Sequence, residues 1–586
     1  MRMHMIKTSR KKAGALRDER SAARTGVSND TEPAWWKEAV FYQIYPRSFQ
    51  DSDRDGVGDL RGIVSRLDYV RDLGVDAIWL NPVFASPNAD NGYDISDYRA
   101  ISPEFGTMED FDRLVREAHA HSLRVVLDLV VNHTSDEHPW FLSARSSRRS
   151  PYYDFYLWWA AERGTPPLRQ SHFDPAGTAW RYNPPTDSYY LHYFSARQPD
   201  LNWNNPRVRS EIYDMMRFWL DKGIDGFRMD SISYIAKDPS FPELDRTACP
   251  DLFSCYARGP RLHEYLHEMN REVLAPYRCF SVGEGSAVTS GEVARFVEPG
   301  RQELDMLYHF GAAEVRNETT PDGEGTDIPY SLIALKRMFT RWDAAVGQGW
   351  PAIYLGNHDQ PRMVSRFGSD EPGLRELSAK MLATFLLTMR GTPFWYMGDE
   401  LGMANIRFRR IDDYDDIDTR NGYIRLQHEG GDTQLFLREQ AEVGRDNART
   451  PFQWNPTTYA GFSDVRPWLR VNPDYPRVNA AAQEHDAHSV LAYFRTAATF
   501  RKQHRNLIYG SYRLLDADNK RVYAYLREGG GERYLVALNF SRRNALTLPG
   551  PELGGARIAL HNYPDIAAPA GRVIELRPFE AVVFEL

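Results

Sequence analysis

Short runs of apolar, β-branched and aromatic residues recur from about Trp35 onward and alternate with longer amphipathic stretches. That alternation is the signature of repeated strand–helix units. Eight such runs can be counted, at 39–49, 75–84, 124–133, 223–230, 278–285, 303–310, 351–359 and 391–400. They predict an α/β fold, a (β/α)8 TIM barrel. Polar residues fall at the end of each run, where the loops of the C-terminal face begin and where such barrels carry their chemistry.

Two stretches break the spacing. Residues 134–203, after the third strand, are too long for a connection and read as an inserted subdomain. Residues 401–455 form a second, more charged and helical insertion after the eighth strand. The barrel itself is then assigned to 34–133 and 204–509. Beyond a last helix at 489–503, period-two segments at 521–528 and 533–540 predict a C-terminal antiparallel β-sandwich domain over 510–586. Residues 1–33 are basic but lack the apolar core of a secretory leader, and are expected to be a disordered tail.

Composition removes some classes. With 72 basic and 80 acidic side chains, the net charge of −8 argues against nucleic acid as a partner, and no apolar segment reaches membrane-spanning length. Cys249, Cys255 and Cys279 are too few for a disulfide framework, which fits packing thiols in a reducing, cytoplasmic compartment. The oligomeric state is not legible.

Two chemistries compete. "HEYLH", His263 to His267, satisfies H-E-x-x-H, with Glu284 downstream as a third zinc ligand. Leu262, Leu266, Met269 and Val273, however, make the apolar stripe of an outer barrel helix, far from the catalytic face. The second constellation is stronger. Asp230, Glu284 and Asp359 end the fourth, fifth and seventh runs, so a barrel gathers them, as glycoside hydrolysis requires of its nucleophile and acid. Arg228 faces the same side as Asp230 and helps keep it ionised. Glu284, between glycines in an apolar strand, is placed for a raised pKa.

"DSDRDGVGDL", residues 51–60, opens like an EF-hand loop, with Asp51, Asp53, Asp55, a backbone position at Val57, and Asp59. Its twelfth position is Gly62 instead of Glu, and the run before it reads as a strand. A helix–loop–helix sensor is therefore excluded, leaving a static cation site or a polar turn.

From Trp35 to Leu586 the chain resembles the α-amylase superfamily of glycoside hydrolases, in its branch of oligo-1,6-glucosidases, α-glucosidases and sucrose isomerases. The resemblance is carried by "DLVVNH", "QPDLN", "GFRMD", "VGEG" and "GNHDQPR", with "DNGYDISDY" and "GRDNARTPFQW" in further agreement. It implies Asp230 as nucleophile, Glu284 as general acid/base and Asp359 as the acid gripping the sugar hydroxyls. Arg228, His133 and His358 would complete the glucose site, Tyr93 would stack on the ring, and Asp90 with Arg445 would close the pocket behind it. The implied activity is that of a retaining, exo-acting α-glucosidase releasing glucose from the non-reducing end of short α-glucosides, the substrate being a small oligosaccharide or disaccharide. The alternative is a transglucosylase or sucrose isomerase on the same scaffold. The resemblance also implies a structural Ca2+ held by Asp51, Asp53, Asp55, Val57 and Asp59, with Mg2+ as the other candidate ion. Two departures bear on substrate. Ser231 stands where 1,6-preferring members carry Val and 1,4-preferring members Thr, and Ser286 where sucrose isomerases carry an aromatic. The Arg-rich loop motif of the isomerases is also missing from 339–350.

Overall fold

The computed structural model describes all residues except 1–32, 246, 248–251, 316–329, 551–552 and 567–570. The expected basic tail and Cys249 therefore lie outside the described residues.

Eight parallel strands form one sheet: β1 (Phe41–Ile44), β2 (Ala77–Leu80), β3 (Arg124–Val130), β4 (Gly226–Asp230), β5 (Phe280–Gly285), β6 (Met306–His309), β7 (Ala352–Ile353) and β8 (Thr392–Tyr396). Their order is β6-β5-β4-β3-β2-β1-β8-β7. Because side chains alternate along a strand, Phe41, Trp79, Val126, Phe280, Val282, Met306, Tyr308 and Phe394 fill the barrel interior, while Ile44, Ile78, Leu127, Phe227 and Met229 pack outward into the larger core. β7 is shorter than its apolar run. The sheet ends β6 and β7 meet through side chains, with the Tyr308 and Tyr354 rings stacked at 3.8 Å and the Tyr354 hydroxyl donating to the His309 carbonyl at 2.6 Å.

Local rules set the helices between them. Met108–Ala120 starts at a Thr107/Asp110 capping box and buries Phe111, Leu114, Val115 and Ala118 on one face. Between β3 and β4, a three-stranded antiparallel sheet (Trp158–Ala160, Ser188–Leu191 and Trp180–Asn183) makes the inserted unit. After β8 come the helices Ile417–His428 and Thr433–Val443. The C-terminal domain is a five-stranded antiparallel sheet facing a two-stranded one across Leu526, Leu535, Ile574, Leu576 and Phe584. Buried Arg527 joins it to the barrel side, donating to the carbonyls of Thr388, Leu507 and Gly510 at 2.6–2.8 Å.

One sequence expectation is corrected. Cys279 is a buried free thiol, but Cys255 is disulfide-bonded. A single bridge needs no framework of cysteines, and spacing along the chain does not say which sulfurs meet. Among the described residues, no helix is long and apolar enough to cross a membrane.

Candidate active site

The inward face of each strand is apolar at its start and polar at its end, so the site forms as the upper layer of the barrel. From β3 comes Asp128, from β4 Arg228 and Asp230, and from β5 Glu284. Arg228 is 1% exposed and holds all three acids: Nη1 donates to Asp128 Oδ1 (2.8 Å) and Asp230 Oδ1 (2.7 Å), and Nη2 lies 3.1 Å from Glu284 Oε1. Ser231, in the left-handed region at φ +43°, turns its amide to donate to Glu284 Oε2 at 2.7 Å. The glycines flanking Glu284 are required by the packing beneath them. A Cβ on Gly283 would come within 2.6 Å of Leu304 Cδ1, and one on Gly285 within 2.6 Å of Leu307 Cδ2.

Burial lifts Glu284 well above the ordinary carboxylate range; Arg228 opposes this and Asp230 reinforces it. Of the three acids on Arg228, Glu284 is thus the one whose surroundings most favour the protonated form.

Asp359 shows the opposite balance. Burial alone would raise its pKa, yet His358, Arg445, Arg449 and Arg228 together hold it far below the usual range. Arg449 Nη2 donates to its Oδ1 at 2.8 Å and Arg445 Nη1 at 3.2 Å. His358 is itself pushed down to about 3 by burial, so at neutral pH the arginines carry the effect. Gln43 Nε2 donates to His358 Nδ1 at 2.8 Å, which leaves the proton on Nε2, 2.7 Å from the Tyr93 hydroxyl and 3.2 Å from Asp359 Oδ2. Tyr93 donates to Asp128 at 2.9 Å, and its ring stacks on His358 at 5.4 Å. His133, lowered to about 4 by burial, donates from Nε2 to the Tyr93 carbonyl at 2.9 Å.

At the inner end, Arg445 Nη2 lies 3.6 Å from Asp90 Oδ1. Burial raises Asp90 to about 7 against the pull of Arg445 and Arg449. The turn carrying both arginines is fixed from below. Arg362 Nη2 and the Tyr396 hydroxyl each donate to the Ala448 carbonyl at 3.0 Å, and Arg362 Nη1 donates to the Met397 carbonyl and Asp399.

These groups surround a pocket of about 370 Å3. Among the residues expected from sequence, it is lined by Asp90, Tyr93, His133, Asp230, Ser231, Glu284, Asp359 and Arg445, with Arg228 and His358 just behind. Sequence reasoning missed Asp128, Gln198 and Arg449, although all three sit inside the quoted motifs. It also missed His172, Phe173 and Phe194 of the inserted unit and Asp418 of the second insertion, which no periodic pattern marks.

The zinc alternative fails on geometry. His263 Nδ1 is 2.7 Å from Glu303, Glu264 pairs with Arg261, and no metal-type group of His, Cys, Asp and Glu occurs there among the described residues. The loop after β1 is different. Ligand atoms of Asp51, Asp53 and Asp59 all lie within 4.8 Å of one another. Asp55 stays outside that group, its Oδ1 accepting from the Val57 amide at 2.7 Å. Partial burial and the charges of Asp55, Asp59 and Asp51 raise the pKa of Asp53.

A protonated carboxyl and an ionisable one bound to the same guanidinium, beside a third carboxylate locked by arginines, is the equipment of a glycoside hydrolase. Comparison with known proteins gives the family. Residues 43–510 match the α-amylase catalytic domain and 512–582 the C-terminal domain of maltogenic amylase; the chain belongs to the α-amylase family. It is 48% identical to the oligo-1,6-glucosidase of Parageobacillus thermoglucosidasius over 563 residues, covering 95% of this chain and 99% of that relative. Identity to the Bacillus cereus oligo-1,6-glucosidase is 46%, covering 95% and 100%. Among solved structures, isomaltulose synthase from Klebsiella sp. LX3 superposes with a TM-score of 0.90 at 42% identity, over 95% of this chain and 100% of that one.

Proposed function

We propose that this chain is a retaining, exo-acting α-glucosidase that removes single glucose units from the non-reducing end of short α-glucosides, with oligo-1,6-glucosides as the preferred class. The observation that carries this reading is the Arg228 bridge between Asp230 and Glu284. One guanidinium shared by two carboxyl groups keeps them at the short separation that direct attack on the sugar carbon demands.

In this mechanism Asp230 attacks the anomeric carbon while Glu284 protonates the departing oxygen. The β-glucosyl-enzyme is then hydrolysed by water that Glu284, now a carboxylate, deprotonates. Asp359, kept ionised by Arg445 and Arg449, accepts hydrogen bonds from sugar hydroxyls. Neutral His133 and His358 spend their N–H groups on the Tyr93 carbonyl and on Tyr93 and Asp359, so they hold those residues in place without adding charge. Tyr93 supplies a flat face for the ring, and the Asp90–Arg445 pair limits the pocket to one terminal sugar.

A sucrose-isomerising reading draws on the structural likeness to isomaltulose synthase. Against it stands Ser286 in the pocket wall, a small polar residue that leaves water a route to the intermediate. Product analysis on isomaltose, maltose, sucrose, trehalose and isomaltotriose separates the two. Glucose released from isomaltose and isomaltotriose is expected, with glucose plus fructose from any sucrose consumed; isomaltulose or trehalulose as the main sucrose product would refute the hydrolase reading.

The loop after β1 offers a divalent cation three converging carboxylates, two of which, Asp51 and Asp59, are oriented by amides of the loop itself. Asp51, Asp53 and Asp59 would hold Ca2+, or Mg2+, through hard oxygen ligands. The ion would tie down a loop in contact with residues 462–466, where the Asp51 amide donates to the Phe462 carbonyl. Stripping the metal with EDTA is expected to lower the melting temperature by roughly 5 °C, with recovery on adding Ca2+. An unchanged melting temperature would reduce the loop to a polar turn.

A further inference from the structure

Past the sugar-gripping floor, the described pocket wall includes Phe173, Tyr234, Ser286, Phe310, Gln360 and Asp418. Rings, a hydroxyl and an amide dominate, and Asp418 is the carboxylate among them. His172, also in the wall, has its ring stacked with Phe194 at 5.0 Å and Phe253 at 3.8 Å. Arg445, the guanidinium in the lining, is committed to Asp359, Asp416 and Asp90.

Asp418 is held in place. It lies in the first turn of Ile417–His428, whose N-cap Asp416 accepts from the Thr419 amide and from Arg445 Nε at 2.8 Å. One turn further, Asn421 Nδ2 donates to the Phe173 carbonyl at 2.8 Å, and the Phe173 ring lies 4.9 Å under the Arg445 guanidinium. Two insertions far apart in sequence therefore meet across the pocket and fix Asp418 in its outer wall. Asp418 is open to solvent at the pocket mouth, and desolvation there raises its pKa from the usual carboxylate value, against the pull of Arg445. The segment leading to it carries Asp412, Asp413 and Asp415 together with Arg407, Arg409 and Arg410, and Asp412 pairs with Arg410 at 2.9 Å, so the charge facing the pocket from this side is that of Asp418 itself. Arg445 in the lining is the stronger cationic influence on Asp418 and Arg425, two turns on, the weaker; Arg425 is not part of the described lining.

We propose that Asp418 is a specificity-determining residue that selects the leaving group by charge. Neutral and cationic aglycones enter, while anionic ones, phosphorylated sugars included, are turned away. The proposal rests on the glucosidase reading and adds to it the chemical class of the second subsite's occupant. A carboxylate there accepts hydrogen bonds from the hydroxyls of a neutral sugar and repels a phosphate or carboxylate.

The test is a charge series of aryl α-glucosides of matched size, bearing a 4-carboxylate, a 4-carboxamide or a 4-aminomethyl group. For the wild type, kcat/KM on the ammonium compound is expected to exceed that on the carboxylate by about five- to tenfold, narrowing at high salt. In Asp418→Asn the ratio should fall close to one, and in Asp418→Lys it should invert. Comparing ratios between variants cancels the intrinsic reactivity of each leaving group. A wild-type ratio that neither variant moves would overturn the proposal while leaving the glucosidase reading intact. A wild type that leaves the neutral carboxamide unhydrolysed would overturn both.

Discussion

Asp230→Asn is expected to lower kcat on isomaltose and on aryl α-glucosides by on the order of 10^4-fold or more, with the melting temperature within about 5 °C of wild type. The amide is isosteric with the carboxylate but is no nucleophile, so no glucosyl-enzyme forms. The fold is expected to survive because Arg228 keeps two of its three acidic partners, Asp128 and Glu284. Steady-state kinetics and a thermal melt on one preparation check both halves. Activity above about 1% of wild type, a far smaller loss than removal of a nucleophile entails, would show that Asp230 is not the attacking group.

Glu284→Gln should behave differently, and the difference identifies a proton donor. Burial raises the pKa of Glu284 and so favours its protonated form in the free enzyme, and the first step needs that proton only when the leaving group is a poor one. Turnover of isomaltose is expected to fall roughly 10^2- to 10^4-fold. The first turnover of a dinitrophenyl α-glucoside, whose leaving group departs unprotonated, should fall far less. The pH profile provides a second readout. An acid works while protonated, so wild-type kcat/KM declines as pH rises through the raised pKa of Glu284, and Glu284→Gln is expected to lose that alkaline limb. An alkaline limb that persists in the variant would assign it to another group.

Most of the barrel was legible because its strands carry two signals at once, an apolar run and a polar end. β4 and β5 are the clearest cases, since "GFRMD" and "VGEG" place their acids on the inward face by strand alternation alone. β7 was less legible. Its run extends to Asp359, yet regular pairing stops at Ile353, and the stretch to Asn357 and His358 is shaped by contacts with Tyr308 and Gln43. Strand counting brought Asp230, Glu284 and Asp359 to one rim of the barrel, and the roles proposed for them came from the family resemblance. The remainder of the pocket did not yield to strand counting, because Phe173 and Asp418 reach the site from insertions whose fold depends on their meeting each other. Arg449 was missed for another reason: it looks like any loop arginine until the turn at Ala448 is seen pinned by Arg362 and Tyr396. In the loop after β1, spacing marked four aspartates and the Val57 backbone, and of those aspartates chain curvature gathers Asp51, Asp53 and Asp59.

The seam between β6 and β7 has a mechanical meaning. A barrel stapled all the way round by backbone hydrogen bonds resists sliding equally in every direction. This one is closer to a curled ribbon fastened by a clasp, which among the described residues includes the Tyr308 and Tyr354 rings, the Tyr354 hydroxyl and Asn357 Nδ2 on the Tyr308 hydroxyl. Along this line the position of a residue is set by side-chain packing instead of by a ladder of peptide groups. Asp359 stands at the upper end of that line and Asp230 on the far wall. The place of Asp359 therefore depends less on the sheet than on Arg445 and Arg449, which both donate to its Oδ1.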